Sequence, residues 1–176
     1  MEKGYGNFLK VVNKLSELNK DLKIEIKIIG WYESAHDKRE CEKLMRSDNP
    51  NISLELFKKQ NFKSFIEIIS YTDIFLDLRS DDLENKYCLP IKLFYYAALG
   101  RPVIISDLKA IRKEVEIEKF GLLVNPRNTE SIASAISEYL NNDQIYYQHC
   151  SNARNIAENF YNWHTIEPEF IKFLSL

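Results

Sequence analysis

Apolar residues recur along this chain in two spacings, one typical of helices and one typical of strands. The first stretch carries Phe8, Val12 and Leu15 on one helical face. The next, Ile24–Ile29, alternates apolar and polar residues until Gly30 and predicts a strand. The same spacings predict the remaining elements in order: a helix over 34–45, a strand over 51–56, a helix over 62–69, a strand over 74–78, a helix over 90–99, strands over 103–105 and 122–124, a helix from 129, and two long helical stretches that finish the chain.

This order of elements sets the expected fold class. Short apolar strands that alternate with helices of about ten residues are typical of a mainly parallel sheet with helices on both faces. We therefore expect a Rossmann-like α/β fold with five strands, formed as a single domain over residues 1–176. Two local signals mark helix ends. Gly100 stands where a left-handed residue would close a helix, and Thr129 is placed to cap the helix that follows it.

Composition and charge exclude several classes of function and leave the expected fold class as it is. A chain of 176 residues and 20.8 kDa suits one domain. Its formal charge of −2 lacks the basic excess of nucleic-acid-binding proteins, so no nucleic-acid partner is expected. The chain does not start with a signal peptide and holds no long uncharged run, so we expect a cytoplasmic protein with peripheral membrane contact at most. Cys41, Cys88 and Cys150 show no zinc spacing and no disulfide framework, and no metal site is expected.

The loop after the predicted strand 74–78 holds the most informative candidate chemistry. In an open α/β sheet, ligands bind outside the carboxyl ends of the strands, which is where this loop lies. The loop leads to Pro90, which suits the first turn of a helix. The backbone N–H groups of Ile91, Lys92 and Leu93 are then predicted to be free and to form, with the helix dipole, a site for an anion.

Phosphate binding at this loop would depend on charged side chains as well. The chain has only 5 glycines and no glycine-rich phosphate loop. Lys92 adds a positive charge, and the planar guanidinium of Arg79 suits a diphosphate. In the alternative interpretation, Lys92 is a solvated first-turn residue and Arg79 pairs with Asp77, two positions away on the same strand face. Periodicity leaves both interpretations open.

The segment Leu89–Asp107 resembles the group 1 glycosyltransferases of the GT-B fold, which carry a similar P-x-K-x-x-E-Y-x-A-x-G-x-P-V-I run. The likeness continues through Phe120–Pro126, which is similar to the family's GLLV-x-P turn, and Asp73–Leu76 resembles its ADVFV strand. Tyr161–Trp163 resembles the aromatic signal before its last helix, and Lys3–Gly4 resembles the KG pair that opens its donor domain. The match covers nearly the whole chain in the family's order, which makes it more specific than any single motif.

The resemblance implies the C-terminal, donor-binding half of a retaining glycosyltransferase. Such a domain, joined to an N-terminal domain, transfers a sugar from a nucleoside-diphosphate sugar to a glycan or glycoconjugate acceptor. The sugar nucleotide is a substrate, so no cofactor is implied, and catalysis is largely positioning and charge stabilisation of the leaving diphosphate. The resemblance identifies no catalytic residue. Taken together, the resemblance, the loop chemistry and the strand ends give these candidate residues for nucleotide-sugar binding: Lys3, Gly4, Gly30, Arg79, Tyr87, Leu89, Pro90, Ile91, Lys92 and Tyr95.

Two departures from the family pattern affect the expected activity. The family's two glutamates, eight positions apart, align with Tyr87 and Tyr95, and a phenol does not match the charge-assisted hydrogen bonds of a carboxylate. Glu84 would partly replace the first glutamate only after a loop rearrangement. The chain also begins at the KG pair, so the family's preceding strand, its phosphate-binding arginine and its acceptor domain are outside it. We therefore expect an N-terminally truncated domain that is inactive alone and needs that domain or a partner chain. The alternative is a degenerate, non-catalytic module with a partner-binding role.

Overall fold

The computed structural model describes residues 5–18, 20–30, 35–45 and 49–175. Within these ranges the five strands are β1 (Ile24–Ile29), β2 (Ile52–Phe57), β3 (Phe75–Asp77), β4 (Val103–Ser106) and β5 (Gly121–Val124). The α-helices of the same ranges are α1 (Tyr5–Leu18), α2 (Ala35–Met45), α3 (Phe62–Ile69), α4 (Leu83–Tyr87), α5 (Lys92–Ala98), α6 (Lys109–Glu114), α7 (Thr129–Asn141), α8 (Asp143–Asn159) and α9 (Trp163–Leu174). The alternation of strands and helices confirms the predicted α/β class.

The strands of the described ranges form two parallel sheets. β1 pairs with β2 in the register Ile24↔Ile52 to Ile29↔Phe57. β4 lies between β3 and β5 in a second sheet, also parallel. No strand in the described ranges joins β1 to β3. The parallel pairing confirms the expected class of a mainly parallel α/β fold, whereas the apolar spacing did not specify which strand edges pair.

Helix α1 packs against both sheets. Val12 is buried in a cluster with Ile26 of β1, whereas Val11 is buried in a cluster with Ile104 of β4. The opposite face of the β3–β5 sheet holds the largest core, where Val103 and Leu93 are buried. Because neighbouring residues of β4 enter different clusters, helices cover this sheet on both faces, as its almost continuous apolar strands predict.

Helix α5 ends at the glycine that the sequence indicated. Gly100 has φ +64, a left-handed conformation that glycine adopts without a steric penalty. Its N–H donates to the carbonyl of Ala97 at 2.9 Å, and the N–H of Arg101 donates to the carbonyl of Tyr96 at 3.3 Å. These are the two hydrogen bonds of a Schellman motif, so the prediction at Gly100 is confirmed.

The predicted cap of α7 is wrong by one residue. Asn128 is the N-cap, and its side-chain oxygen accepts hydrogen bonds from the N–H groups of Glu130 and Ser131. Thr129 is the first residue of the helix itself. Both residue types cap helices well, so the sequence alone did not separate the two neighbouring positions.

The last helix, α9, carries an exposed apolar side. Trp163 and Phe170 contact each other with ring centroids 5.6 Å apart, and both rings remain exposed to solvent. Within the part of the chain that the structure describes, no helix is both long enough and apolar enough to cross a membrane.

Candidate functional site

The carboxyl edge of the β3–β5 sheet gathers the candidate residues. Because the three strands are parallel, the loops that follow Asp77, Ser106 and Val124 leave the sheet at the same edge. The side-chain amide of Asn7 in α1 donates to the carbonyl of Pro126 at 3.0 Å, which ties the first turns of α1 to this edge. The loop that enters α5 therefore shares its edge with the start of α1.

Ser106 fixes the backbone of Arg79 at this edge. The Ser106 side chain is fully buried at the end of β4. Its Oγ accepts a hydrogen bond from the N–H of Arg79 at 2.7 Å and donates one to the Arg79 carbonyl at 2.9 Å. Ser106 is not among the residues predicted from the sequence. The available signal was a hydroxyl at the end of an otherwise apolar, buried strand, where a polar group needs a partner.

The Arg79 side chain pairs with Asp77, as the alternative interpretation proposed. Its Nε lies 2.6 Å from Asp77 Oδ1 and its Nη2 lies 3.3 Å from Oδ2, a fork that uses both carboxylate oxygens. Burial lowers the pKa of Arg79, but the hydrogen bond and charge of Asp77 outweigh it, and the pKa lies above its ordinary value. The remaining Nη1 contacts Cys88 Sγ at 3.8 Å. The guanidinium is therefore largely committed within the protein, and its role towards a diphosphate stays a prediction.

The segment that the sequence presented as a polar loop contains helix α4. Asp82 caps it by accepting from the N–H of Asn85 at 2.8 Å, and Ser80 Oγ donates to the other Asp82 oxygen at 2.6 Å. These two bonds hold the pKa of Asp82 below its ordinary value. The buried side chain of Asn85 closes the network by donating to Asp82 at 2.9 Å. Side-chain capping thus orders a stretch with too few apolar residues to predict a helix.

The entry to α5 differs from the predicted run of free N–H groups. The helix begins at Lys92 rather than at Pro90, and Pro90 is buried while Leu89 packs against the main core. The N–H of Leu93 donates to the Pro90 carbonyl at 3.0 Å, so this group is not free. The cause is a tight turn that closes a bond between residues three apart before the helix begins. Ile91 and Lys92 are exposed there, and Lys92 has no ion-pair partner among the described residues.

The two tyrosines at the aligned glutamate positions lie in different surroundings. Tyr87 is 64% exposed, and the ammonium group of Lys109 lies 5.3 Å from the centre of its ring. Tyr95 is partly buried and packs edge-on against Phe62 and Phe65 of α3, with ring centroids 5.4 and 6.1 Å away. Tyr87 therefore faces solvent near the candidate site, whereas the Tyr95 ring contributes to the packing of α5 on α3.

The remaining predicted residues lie at the ends of β1 and α1. Gly30 follows β1 with φ +130, and its N–H donates to the carbonyl of Phe57 at 2.9 Å. A Cβ built on Gly30 would have no atom within 4 Å, so this position borders open space. Lys3 and Gly4 lie outside the described residues, and their predicted roles stay predictions.

A cavity of about 750 Å³ runs between β1 and β3. Its walls include every residue of both strands, and Asp77, Arg79 and Lys92 also line it. The candidate site and the space between the two sheets are therefore continuous.

Comparison with protein families gives one match, which covers most of the chain. The family model described as "Glycosyl transferases group 1" matches residues 1–161. A search of curated proteins found no significant match.

Solved structures share this fold at low sequence identity. Sucrose-phosphate synthase from Thermosynechococcus elongatus is 15% identical, with a TM-score of 0.73 over 98% of this chain and 42% of that chain. Anabaena HepE, solved in complex with UDP, is 16% identical, with a TM-score of 0.72 over 98% of this chain and 45% of that chain. The C-terminal domain of LpcC, a glycosyl transferase group 1 family protein from Francisella tularensis, is 15% identical, with a TM-score of 0.72 over 91% of this chain and 80% of that domain. The chain thus spans less than half of the two longer proteins.

Proposed function

The chain belongs to the group 1 glycosyltransferases, because their family model matches residues 1–161, and we propose that it binds a nucleoside-diphosphate sugar at the carboxyl edge of the β3–β5 sheet. The family match is the observation that carries this proposal. The similarity in fold to HepE, which was solved in complex with UDP, supports it. Ligands of open α/β sheets bind at this edge, which makes it the place to test.

The chemistry of the edge suits a diphosphate through one exposed lysine. Lys92 lines the cavity and has no carboxylate partner in the described part of the chain, so its charge is available to an anion. Arg79 contributes mainly by holding Asp77 and the loop in place, because its fork is already engaged. The exposed ring of Tyr87 supplies a hydroxyl at the site's border. Positioning and charge therefore account for the binding that we propose.

Transfer of the sugar is proposed only for a longer assembly. The chain spans 42% and 45% of the two full-length neighbours, and it matches a domain that was solved separately as a C-terminal domain. We infer that the acceptor is held by an N-terminal domain, in the same polypeptide or in a partner chain.

Calorimetric titration with UDP, GDP and UDP-glucose tests donor binding directly. We expect measurable binding of one nucleotide to the folded chain and a loss of about tenfold or more in Lys92→Ala, since a hydrogen bond to a charged group is worth about 1.5–3 kcal/mol. Lys172→Ala, an exposed lysine on α9, is the matched control and should leave the affinity unchanged. Absence of binding at millimolar nucleotide to a folded chain would refute the proposal.

A second candidate function is a non-catalytic glycosyltransferase-like module, which the surroundings of the two tyrosines favour. Tyr95 packs among the rings of α3, and neither tyrosine supplies a carboxylate. Tyr87→Glu separates the two functions because Tyr87 is exposed and the substitution should leave the fold intact. A large gain in nucleotide-sugar affinity in this variant would indicate a decayed site. Unchanged affinity, together with transfer by the longer assembly, would indicate that the tyrosines already serve the enzyme.

A further inference from the structure

Lys109 lies at the same edge of the sheet as the candidate donor site. β4 ends at Ser106, and α6 begins at Lys109 after the buried Leu108. The N–H of Asp107 donates to the carbonyl of Val124 at 2.9 Å, which holds this short connection against the end of β5. The connection therefore leaves the sheet at the carboxyl edge, where we have proposed that the donor binds.

Contacts of Arg79 connect Lys109 to the cavity. Arg79 lines the cavity, and its backbone is bonded to Ser106, which precedes Lys109 by one short loop. The Nη1 atom of Arg79 reaches Cys88 Sγ at 3.8 Å, and Cys88 follows Tyr87 directly in the chain. The ammonium group of Lys109 lies 5.3 Å from the centre of the Tyr87 ring. Lys109 and Tyr87 are thus joined by direct contacts to the wall of the cavity.

Lys109 has an aromatic neighbour but no carboxylate neighbour. Tyr87 is 64% exposed and Lys109 is exposed as well, so both side chains are open to solvent. A lysine near the face of a tyrosine is attracted by the ring but keeps its full charge. Within the described residues, Lys109 forms no ion pair, and the first turn of α6 holds no acidic residue.

The aspartates of the neighbouring loops are already engaged. Each of them is held by a basic residue or caps a helix: Asp77 pairs with Arg79, Asp81 pairs with Lys86, Asp82 caps α4 and Asp107 pairs with Arg112. Glu84 lies in the first turn of α4, where a negative charge suits the helix dipole, and it forms no ion pair with Lys109. The positive charge of Lys109 is therefore available to a ligand.

Two available lysines at one edge match a donor that carries two separate negative groups. Lys92 lines the cavity and serves the diphosphate in the function that we have proposed. Lys109 stands outside the cavity wall, beyond Tyr87. The nucleoside of a sugar nucleotide is neutral, so a negative charge away from the diphosphate belongs to the sugar. Charges placed in this way favour a complementary ligand over a neutral one mainly by selectivity rather than by raw affinity.

We propose that Lys109 and Tyr87 select a donor whose sugar carries a carboxylate, that is, a nucleoside-diphosphate uronic acid. This inference rests on the proposed donor binding and deepens it by naming the class of sugar. The ammonium group of Lys109 pairs with the sugar carboxylate, and the Tyr87 hydroxyl donates a hydrogen bond to the same group. A carboxylate side chain in place of Tyr87 would repel such a sugar, because like charges placed together are unfavourable.

Calorimetric titration with matched neutral and acidic donors tests this selectivity. The pairs are UDP-glucose with UDP-glucuronic acid and GDP-mannose with GDP-mannuronic acid, so that base and diphosphate are the same within each pair. UDP and GDP alone are titrated as well. We expect the acidic donor to bind about threefold to fivefold more tightly at ~20 mM salt, because an exposed ion pair has a modest energy, and the preference to shrink at ~200 mM salt.

Variants of the exposed residues assign the preference to Lys109. In Lys109→Met the two donors should bind equally, whereas Lys109→Arg keeps the charge and should keep the preference. Lys113→Met removes an exposed lysine further along α6 and is the matched control, which should leave the preference unchanged. Tyr87→Glu places a carboxylate beside Lys109 and should lower the preference below that of the wild type.

Each outcome of these titrations decides the inference. A preference for the acidic donor that Lys109→Met removes and Lys109→Arg keeps supports it. Equal binding of the two donors, or a preference that survives in Lys109→Met, overturns it and leaves donor binding intact. An equal loss of affinity in Lys109→Met for the nucleotide alone and for both sugar nucleotides would place Lys109 at the diphosphate and would also overturn it.

Two further outcomes separate this inference from folding and from donor binding. If Lys109→Met does not fold, Tyr87→Glu decides, because a reduced preference in that variant supports the inference and an unchanged preference overturns it. If no nucleotide binds to the folded wild-type chain, this inference and the proposed donor binding fail together.

Discussion

Removal of the Ser106 hydroxyl should destabilise the protein more than removal of an exposed serine hydroxyl does. Ser106 is fully buried, and its Oγ forms two hydrogen bonds with the backbone of Arg79, at 2.7 and 2.9 Å. In Ser106→Ala both bonds are lost, and the partly buried N–H and C=O of Arg79 are left without partners. A net hydrogen bond is worth about 1 kcal/mol, and a buried group left unsatisfied costs more, so we expect a loss of about 2–3 kcal/mol in the free energy of unfolding.

Urea denaturation of the folded chain measures this loss. Thermal denaturation gives a second measure, because in a domain of this length a change of about 1 kcal/mol in the free energy of unfolding shifts the midpoint temperature by about 2–4 °C. The midpoint temperature of Ser106→Ala should therefore fall by about 4–12 °C. The slope of unfolding free energy against urea should not change, because the surface exposed on unfolding is the same. Ser70→Ala is the matched control. Ser70 Oγ donates to the carbonyl of Glu67 at 2.8 Å in an exposed position, where water replaces the bond. A loss below about 0.5 kcal/mol in Ser106→Ala, equal to that of a surface control, would refute the reasoning.

Three further predictions concern the stability of the fold. Gly121→Ala should lower the free energy of unfolding by about 1–3 kcal/mol in urea denaturation, because the new Cβ would lie 2.7 Å from the carbonyl oxygen of its paired residue Val103. A stability equal to that of the wild type would contradict this close approach. Asn128→Ala should lower the free energy of unfolding by about 1 kcal/mol, measured by thermal denaturation, and Thr129→Ala should lower it less. The reverse order would indicate that Thr129 is the N-cap. Burial lowers the pKa of His149, whose Nδ1 lies 2.9 Å from the Tyr139 hydroxyl. As the pH falls, the unfolded chain therefore protonates this histidine before the folded chain does. The stabilisation that is present above the ordinary pKa of 6.5 is lost as the pH falls towards the lower pKa of His149 in the folded state. The free energy of unfolding, measured by urea denaturation from about pH 8 to about pH 5, where histidine titrates, should depend less on pH in His149→Gln than in the wild type. Identical pH profiles in the two proteins would count against this cause.

The apolar pattern predicted the elements more reliably than it predicted the site. Strand β4 is three buried apolar residues followed by a buried serine, and its position was clear from the sequence. Gly100 was also predictable, because few residues other than glycine accept its left-handed conformation. By contrast, helix α4 was missed because its order comes from hydrogen bonds of Asp82 and Asn85 rather than from apolar spacing.

The partner of the Arg79 side chain could not be predicted from the sequence. A guanidinium suits both a carboxylate and a diphosphate, and spacing along the chain does not rank the two partners. The structure places Asp77 at 2.6 Å from Arg79 Nε. It also places Tyr95 against the rings of α3, a contact between segments about thirty residues apart that no local pattern encodes.

The sequence by itself determined the α/β class, the parallel strands and the membership of the glycosyltransferase group, because these depend on residue type and order along the chain. Only the tertiary structure decided which strand edges pair, which partner Arg79 takes, and that Ser106 holds the backbone of the site. These features depend on groups far apart in the chain that meet only when the sheets and helices pack. The cavity between β1 and β3 belongs to the second kind, since it exists only in the space between two sheets.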